Sequence, residues 1–253
     1  MSKMHMLEII KQETVAPGYQ RLTLAGEINA LAGQFVQVRV SATYDPFLRR
    51  PISIHDAAED RLVLLYRTAG RGTALLAAKK AGETLDLLGP LGNGFPLTDQ
   101  KQVVVVAGGI GAAPLYYLLR TLKKAGKQVS FVYGARNKTE LLLREEYREL
   151  AANYSEATDD GSAGSRALVT DLAAPIIAGL DAAVYACGPL PMLREVARLA
   201  DCFDRSCFVS LEAQLACGVG ACLGCVVPVK GSEKYRRVCV DGPVFAAGEV
   251  FFC

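Results

Sequence analysis

The centre of this chain is dominated by the stretch VVVVAGGIGAAP, residues 103–114. The apolar run at 103–107 predicts a strand that is buried on both faces. The glycines after it permit a tight turn, and Pro114 opens a helix expected over residues 114–125. Residues 102–119 carry no charge, and the length of this uncharged segment is close to the minimum that can span a membrane. Because glycines and a proline interrupt this segment, a strand, a turn and a helix explain it better than a membrane span.

The same rhythm continues toward the carboxyl terminus. Strands are expected at residues 129–133, 154–157 and 182–186, and helices at 139–151 and 189–200. Strands that alternate with helices indicate a doubly wound parallel sheet. We therefore predict a central α/β domain over residues 99–205.

The first hundred residues have a different pattern, in which short strand-like segments are separated by turn residues. The expected strands are 7–13, 19–25, 35–40, 51–55, 61–67 and 84–88. Strands this short and closely spaced predict an antiparallel β-barrel. One short helix is expected at 73–81, and the glycine- and proline-rich stretch 89–96 suggests that this domain ends near residue 98.

Composition limits the possible classes of protein. The chain has 253 residues, of which 51% are hydrophobic and 21% charged. This balance excludes a disordered chain, a collagen-like repeat and a coiled coil, and the length suits two domains with a small third one at 206–253. A net charge of +2 gives little support to nucleic-acid binding. The amino terminus lacks the apolar core of a signal peptide, so a cytoplasmic protein is expected.

All eight cysteines lie at or after Cys187. Cys217, Cys222, Cys225 and Cys239 follow the spacing C-x4-C-x2-C-x13-C, which is the plant-type arrangement for a 2Fe–2S cluster. Glycines at 218, 220 and 224 would let amide groups approach the sulfurs and stabilise the negative cluster. Structural zinc is the alternative, although zinc sites usually pair their cysteines twice over. Of the remaining four thiols, those at 202, 207 and 253 are expected to be buried apolar groups or free thiols.

Two further sets of residues are candidates for binding phosphate groups. Gly108–Gly111 and the later Cys187-Gly188-Pro189 would lie at the carboxyl ends of strands, where open α/β sheets bind ligands. On the barrel, an arginine of the Arg49-Arg50 pair and the hydroxyl of Ser53 could hold a pyrophosphate, with Gly72-Thr73 opening a short helix nearby. The alternatives are a tight structural turn for the glycines and a solvated edge for the arginine.

The order of these motifs resembles ferredoxin reductase-type flavoproteins. The C-terminal run of residues 211–225, followed by the Val238–Phe245 segment with its Asp-Gly-Pro-Val-Phe sequence, is similar to the electron transfer subunit family of NAD-dependent dihydroorotate dehydrogenase B. The resemblance implies FAD, NAD and a 2Fe–2S cluster on the four cysteines. For FAD it implies Arg50, Pro51, Ile52, Ser53, Leu65, Tyr66, Arg67, Gly72 and Thr73. For NAD it implies Gly108, Gly109, Ile110 and Gly111, together with Cys187, Gly188 and Pro189.

The resemblance also implies a function in pyrimidine biosynthesis. Electrons would pass from the FMN of a separate dihydroorotate dehydrogenase catalytic subunit through 2Fe–2S and FAD to NAD+, in a heterotetramer. This chain shows no residue set for acting on dihydroorotate. Because the cysteine loop is rich in apolar and small residues, a docking face is expected around residues 215–227. The alternatives are an electron-transfer flavoprotein subunit of another NAD(P)H-linked complex, of sulfide dehydrogenase or transhydrogenase type, and a non-enzymatic zinc-stabilised binding protein.

Preference for NADH over NADPH is a further expectation. Asp159 and Asp160 follow the expected third strand of the α/β domain, where carboxylates would accept hydrogen bonds from ribose hydroxyls and repel a phosphate. Arg136 and Lys138 follow Gly134 and could instead bind a 2′-phosphate, and the two aspartates could equally form a solvated acidic turn.

Overall fold

The structure, a computed structural model, describes residues 3–250. Its first part is a closed antiparallel barrel with strand order β1-β2-β5-β4-β3-β6, which confirms the predicted barrel. The strands are β1 (Lys3–Ala16), β2 (Tyr19–Ala25), β3 (Phe35–Arg39), β4 (Arg50–Ala57), β5 (Arg61–Arg67) and β6 (Thr84–Leu91), with helix α1 (Arg71–Ala77) between β5 and β6.

Alternating side chains fill the barrel. Val36 and Val38 of β3 and Ile52 and Ile54 of β4 are buried in one apolar cluster inside it, as expected for strands with one face turned to a core. The helix expected at 73–81 is displaced, because α1 begins at Arg71 and ends at Ala77. The chain is then drawn into a turn against β1, where the Gly82 amide donates to the Ile9 carbonyl.

The second part is a seven-stranded sheet of order β10-β9-β8-β7-β11-β12-β15, parallel except for β15. This confirms the predicted doubly wound α/β architecture. Its strands are β7 (Gln102–Gly108), β8 (Gln128–Ala135), β9 (Asn153–Thr158), β10 (Ser165–Arg166), β11 (Ala182–Cys187), β12 (Cys207–Ser210) and β15 (Val244–Ala246). Its helices are α2 (Ala113–Lys124), α3 (Arg144–Leu150), α4 (Val169–Gly179) and α5 (Leu190–Cys202).

Strand β7 lies in the middle of this sheet and is buried on both faces. Val103 and Val105 pack in the core under α2, whereas Val104 and Val106 pack in the core under α4 and α5. The alternation explains why the run contains no polar residue.

The helix expected over residues 139–151 is wrong at its start. The chain forms a short 3-10 turn, Lys138–Glu140, and α3 begins only at Arg144. Between them Leu143 has a left-handed backbone with φ 50°, and the Leu142 amide donates to the hydroxyl of Tyr133. Helix α4 was not predicted, because Pro175 lies inside it and few polar side chains define an outer face.

The last segment is joined to the sheet. Strands β12 and β15 form its edge, and only the hairpin of β13 (Val226–Pro228) and β14 (Tyr235–Arg237) forms a separate small sheet. The division of the chain at residues 98 and 205 therefore stays a prediction. Cys253, one of the cysteines without an assigned role, lies outside the described residues. Within residues 3–250, no helix is long and apolar enough to cross a membrane.

Candidate functional site

A cavity of about 780 Å³ opens at the carboxyl ends of the central parallel strands. The first strand of the α/β domain, β7, neighbours both β8 and β11, and the helices after β7 and β11 pack on opposite faces of the sheet. Open α/β sheets bind ligands at such a switch point. The predicted nucleotide residues Gly108–Gly111, Gly188 and Pro189 all line this cavity, which we call the nucleotide cavity.

The glycines of this turn have different roles. A Cβ on Gly108 would lie 2.7 Å from Pro189 Cδ, and one on Gly111 would lie 2.4 Å from the Cys187 carbonyl oxygen. These two glycines therefore allow the end of β7 and the turn after it to pack against the end of β11. Gly109 has φ 53° and open space where its side chain would be, so it permits the left-handed turn and leaves this side of the backbone open to the cavity.

A second, narrower cleft of about 170 Å³ lies between the barrel and the α/β sheet. Pro51 and Ser53 of β4 form one wall, and Cys187 at the end of β11 forms another. Leu215 and Val238, which lie close in sequence to the candidate cluster ligands, close the third side. The cleft thus borders all three parts of the chain. We call it the flavin cleft, because Pro51 and Ser53 are two of the predicted flavin residues.

The structure distinguishes Arg49, which immediately precedes β4, from Arg50, which is the first residue of that strand. Arg49 donates to Asp86 at 2.7 Å and is tied to the outside of the barrel. Arg50 lies against α1, where a Cβ on Gly72 would be only 2.0 Å from its Nε atom. The structure therefore brings Arg50 and Gly72 together, as the sequence predicted. The Thr73 hydroxyl accepts hydrogen bonds from the amides of residues 69 and 70 and serves the turn itself.

Three of the predicted flavin residues turn their side chains away from the cleft. Ile52 and Tyr66 are buried in the barrel core, and the Tyr66 hydroxyl accepts a hydrogen bond from Gln12 at 2.7 Å. Leu65 packs against Ala113 of the α/β domain. Only their backbones are available to a ligand in this structure. Arg67 instead lines the nucleotide cavity.

The cysteine loop, residues 215–227, begins beside the flavin cleft. The Cys217 sulfur accepts hydrogen bonds from the amides of Val219 and Cys222, at 3.5 and 3.4 Å. These bonds, with that of Val219 the strongest, lower the pKa of Cys217 to about 6, since amide donors favour the thiolate. Gly218 and Gly220, with φ 72° and 79°, give the loop the left-handed turns that this arrangement needs.

The hairpin brings the other two cysteines together. The Val238 amide donates to the Cys225 carbonyl at 2.9 Å, which places Cys239 next to Cys225. Both are buried, and burial raises the pKa of Cys239 to about 12. Among the described residues, no three ligand side chains already converge on a single metal-binding point. Four thiols on one loop and its hairpin nevertheless form the donor set that iron–sulfur clusters use.

Sequence reasoning missed two acidic residues of the site. Glu212 lines both the nucleotide cavity and the flavin cleft, just beyond the end of β12. Its side chain is exposed to the open cavity, and partial desolvation beside the cavity walls raises the pKa of its carboxyl group. Glu140 lines the far end of the nucleotide cavity. A strand end near Ser210 could have pointed to Glu212, whereas no sequence signal pointed to Glu140.

Comparisons with known proteins agree with this geometry. A family model described as the iron-sulfur cluster binding domain of dihydroorotate dehydrogenase B matches residues 212–251, and one described as an oxidoreductase NAD-binding domain matches residues 105–198. The matches confirm the predicted iron–sulfur and NAD chemistry and count against zinc.

Relatives are similar over nearly the whole chain. Two proteins named "Dihydroorotate dehydrogenase B (NAD(+)), electron transfer subunit", from Geobacillus kaustophilus (strain HTA426) and Bacillus caldolyticus, are each 44% identical over 96% of this chain and 97% of their own length. A solved structure of an NADH-dependent reduced ferredoxin-NADP oxidoreductase, described in terms of flavin-based electron bifurcation, is 31% identical, with TM-score 0.87 over 97% of this chain and 90% of that chain. Its flavin chemistry agrees with the predicted FAD. The chain belongs to the family of electron transfer subunits of dihydroorotate dehydrogenase B (NAD(+)).

Proposed function

We propose that this chain carries electrons from the FMN of a dihydroorotate dehydrogenase catalytic subunit, through a 2Fe–2S cluster and FAD, to NAD+. The observation that carries the proposal is the position of the flavin cleft. Cys187 in its wall is followed in the chain by Gly188 and Pro189 of the nucleotide cavity. Leu215 and Val238, also in its wall, lie close in sequence to the candidate ligands Cys217 and Cys239. Glu212 borders both cavities. A flavin in this cleft would lie between the nucleotide and the cluster.

That order suits the chemistry of the three groups. Bound FAD exchanges two electrons with a nicotinamide and single electrons with an iron–sulfur cluster, so it belongs between them. Arg50 would hold the FAD pyrophosphate, and its position against the start of α1, where Gly72 leaves space for its side chain, supports this role. Pro51 and Ser53 face the cleft from β4, and the four cysteines hold the iron.

The exposed residues of the cysteine loop are evidence for contact with a partner subunit. Cys222 is exposed, and beside it Leu223 and Val219 keep 62% and 48% of their surface open to solvent. Exposed apolar residues around a redox centre are typical of a protein interface. We place the contact with the FMN-containing subunit at residues 215–227. Assembly as a heterotetramer and a cytoplasmic location are parts of the same proposal.

The test joins the chain to its partner. The purified chain, loaded with FAD and iron–sulfur cluster, should oxidise NADH with an artificial acceptor and should not reduce NAD+ with dihydroorotate. Addition of an FMN-containing dihydroorotate dehydrogenase subunit should produce dihydroorotate-dependent NAD+ reduction, and light scattering should give the mass of two copies of each subunit. Reduction of NAD+ by dihydroorotate with the isolated chain would overturn the proposal.

A second candidate has one observation in its favour. The solved structure with TM-score 0.87 is described as an NADH-dependent reduced ferredoxin-NADP oxidoreductase. Service in another NAD(P)H-linked electron-transfer complex is therefore the alternative function. Failure of dihydroorotate to reduce the cluster in the mixed complex, together with reduction of the cluster by ferredoxin, would favour this alternative.

A further inference from the structure

The far end of the nucleotide cavity holds a group of charged side chains. Arg136 follows β8 and Asp159 follows β9, and both line the cavity together with Glu140. Two backbone hydrogen bonds tie the strand ends to each other, from the Asp159 amide to the Ala135 carbonyl at 3.1 Å and from the Asp160 amide to the Arg136 carbonyl at 3.2 Å. The two strand ends that carry Arg136 and Asp159 are therefore held side by side at this end of the cavity.

Two of the three guanidinium nitrogens of Arg136 are already bound to Glu140. Its Nε donates to one carboxylate oxygen of Glu140 at 3.0 Å, and a second nitrogen donates to the other oxygen. This is the two-pronged geometry in which arginine also binds phosphate. The hydrogen bond with Arg136 holds the pKa of the Glu140 carboxyl below its usual range, which favours the ionised carboxylate.

Hydrogen bonds to its own backbone and to the turn around it hold Glu140 in place. Its side chain is only 14% exposed, and the Tyr133 hydroxyl donates to its carbonyl oxygen at 3.3 Å. The 3-10 turn that carries it is capped by Asn137, whose side chain accepts from the Thr139 amide. The carboxylate is therefore a built part of the cavity wall.

The two nucleotides would meet this wall differently. The 2′-hydroxyl of NAD can donate to a carboxylate such as Asp159. The 2′-phosphate of NADP carries about two negative charges and would meet Asp159 and Glu140, with the fork of Arg136 already bound. The other arginine of the cavity, Arg67, comes from the barrel. Lys138 is not among the described residues that line this cavity.

We infer that Glu140 selects NAD over NADP by occupying the guanidinium of Arg136. Removal of its charge leaves Arg136 free to bind a 2′-phosphate. The inference rests on the proposed function in requiring nicotinamide nucleotides as substrates, but it adds the residue that chooses between them.

The experiment measures kcat/KM with NADH and NADPH and an artificial acceptor. Glu140→Gln should raise the NADPH to NADH ratio about ten-fold or more, since one charge-assisted pair becomes available. Glu145→Gln is the matched control, because Glu145 pairs with Arg148 on α3, outside the cavity. It should leave the ratio unchanged. Adding Arg136→Ala to Glu140→Gln should abolish the gain.

Titration with 2′,5′-ADP and 5′-AMP gives a second readout that does not depend on turnover. Only 2′,5′-ADP should bind more tightly to the Glu140→Gln variant, by a similar factor. The inference would be overturned if Glu140→Gln changed neither the NADPH to NADH ratio of kcat/KM nor the affinity for 2′,5′-ADP. It would also be overturned if the gain survived the loss of Arg136. Absence of turnover with either nucleotide in the unmodified protein would instead overturn the proposed function.

Discussion

The contact between Gly72 and Arg50 allows FAD binding to be separated from fold stability. Gly72 lies in the first turn of α1, and an alanine Cβ there would lie 2.0 Å from Nε, 2.7 Å from Cζ and 2.9 Å from Cδ of Arg50. Ordinary contacts need about 3.5 Å, so the Arg50 guanidinium must retreat by about 1.5 Å. Only the flexible end of a side chain has to move.

This displacement sets the expected size of the effect. A hydrogen bond to a charged group contributes about 1.5–3 kcal/mol, and a shift of about 1.5 Å takes the donor beyond hydrogen-bonding distance. The Kd for FAD should therefore rise roughly 10- to 100-fold in Gly72→Ala. Arg50→Ala should cost about 2–3 kcal/mol and gives the upper limit. The fold should not weaken, because alanine is favoured over glycine in helices by up to about 1 kcal/mol.

The assay is a fluorescence titration of the FAD-free protein, together with thermal unfolding of the same sample. Gly70→Ala is the control, since a Cβ added to Gly70, just before the same helix, would have no other atom within 4 Å. This variant should bind FAD as the unmodified protein does. An unchanged Kd for FAD in Gly72→Ala would refute the assignment of Arg50 to the FAD pyrophosphate.

Three further predictions concern the cluster, the partner and pH. Cys222→Ser should abolish or weaken the 2Fe–2S centre, measured by iron content and reduced-state EPR, while FAD stays bound; full iron with an unchanged spectrum would contradict the ligand assignment. Leu223→Glu should impair dihydroorotate-dependent NAD+ reduction more than NADH–dye activity, whereas Leu97→Glu, at an exposed leucine outside the cysteine loop, should affect neither. Equal losses of both activities in Leu223→Glu would refute the docking face. Burial lowers the pKa of His55 to about 4, and its neutral ring donates to the Ala113 carbonyl. The unfolded chain then takes up a proton that the folded one does not, so the free energy of unfolding should fall by up to about 3 kcal/mol between pH 6.5 and 4. His55→Gln should flatten that slope, and an unchanged slope in this variant would assign the effect to other groups.

The sequence by itself determined the elements whose patterns are local. The run at 103–107 must be buried on both faces because it offers no polar side to water, and β7 is buried in that way. The cysteine spacing indicated the iron–sulfur domain because a short loop must supply three ligands to one cluster. The barrel followed from closely spaced turns, each of which depends on only a few neighbouring residues.

Only the tertiary structure decided which side chains reach the site. Arg49 and Arg50 are equivalent in sequence, but Asp86 on a distant strand binds the first and Gly72 makes room for the second. The break at Leu143 depends on the Tyr133 hydroxyl of the neighbouring strand.

Tertiary contacts also decided the pairing of the last strand and the contact between Glu140 and Arg136 in the wall of the nucleotide cavity. Strand β15 pairs with β12 across the whole cysteine segment, and Glu140 reaches Arg136 only because the chain turns back after β8. Each of these features rests on a contact between residues that a local pattern does not connect. Local propensity and periodicity report on an element alone, whereas its partners are selected by packing in the folded chain.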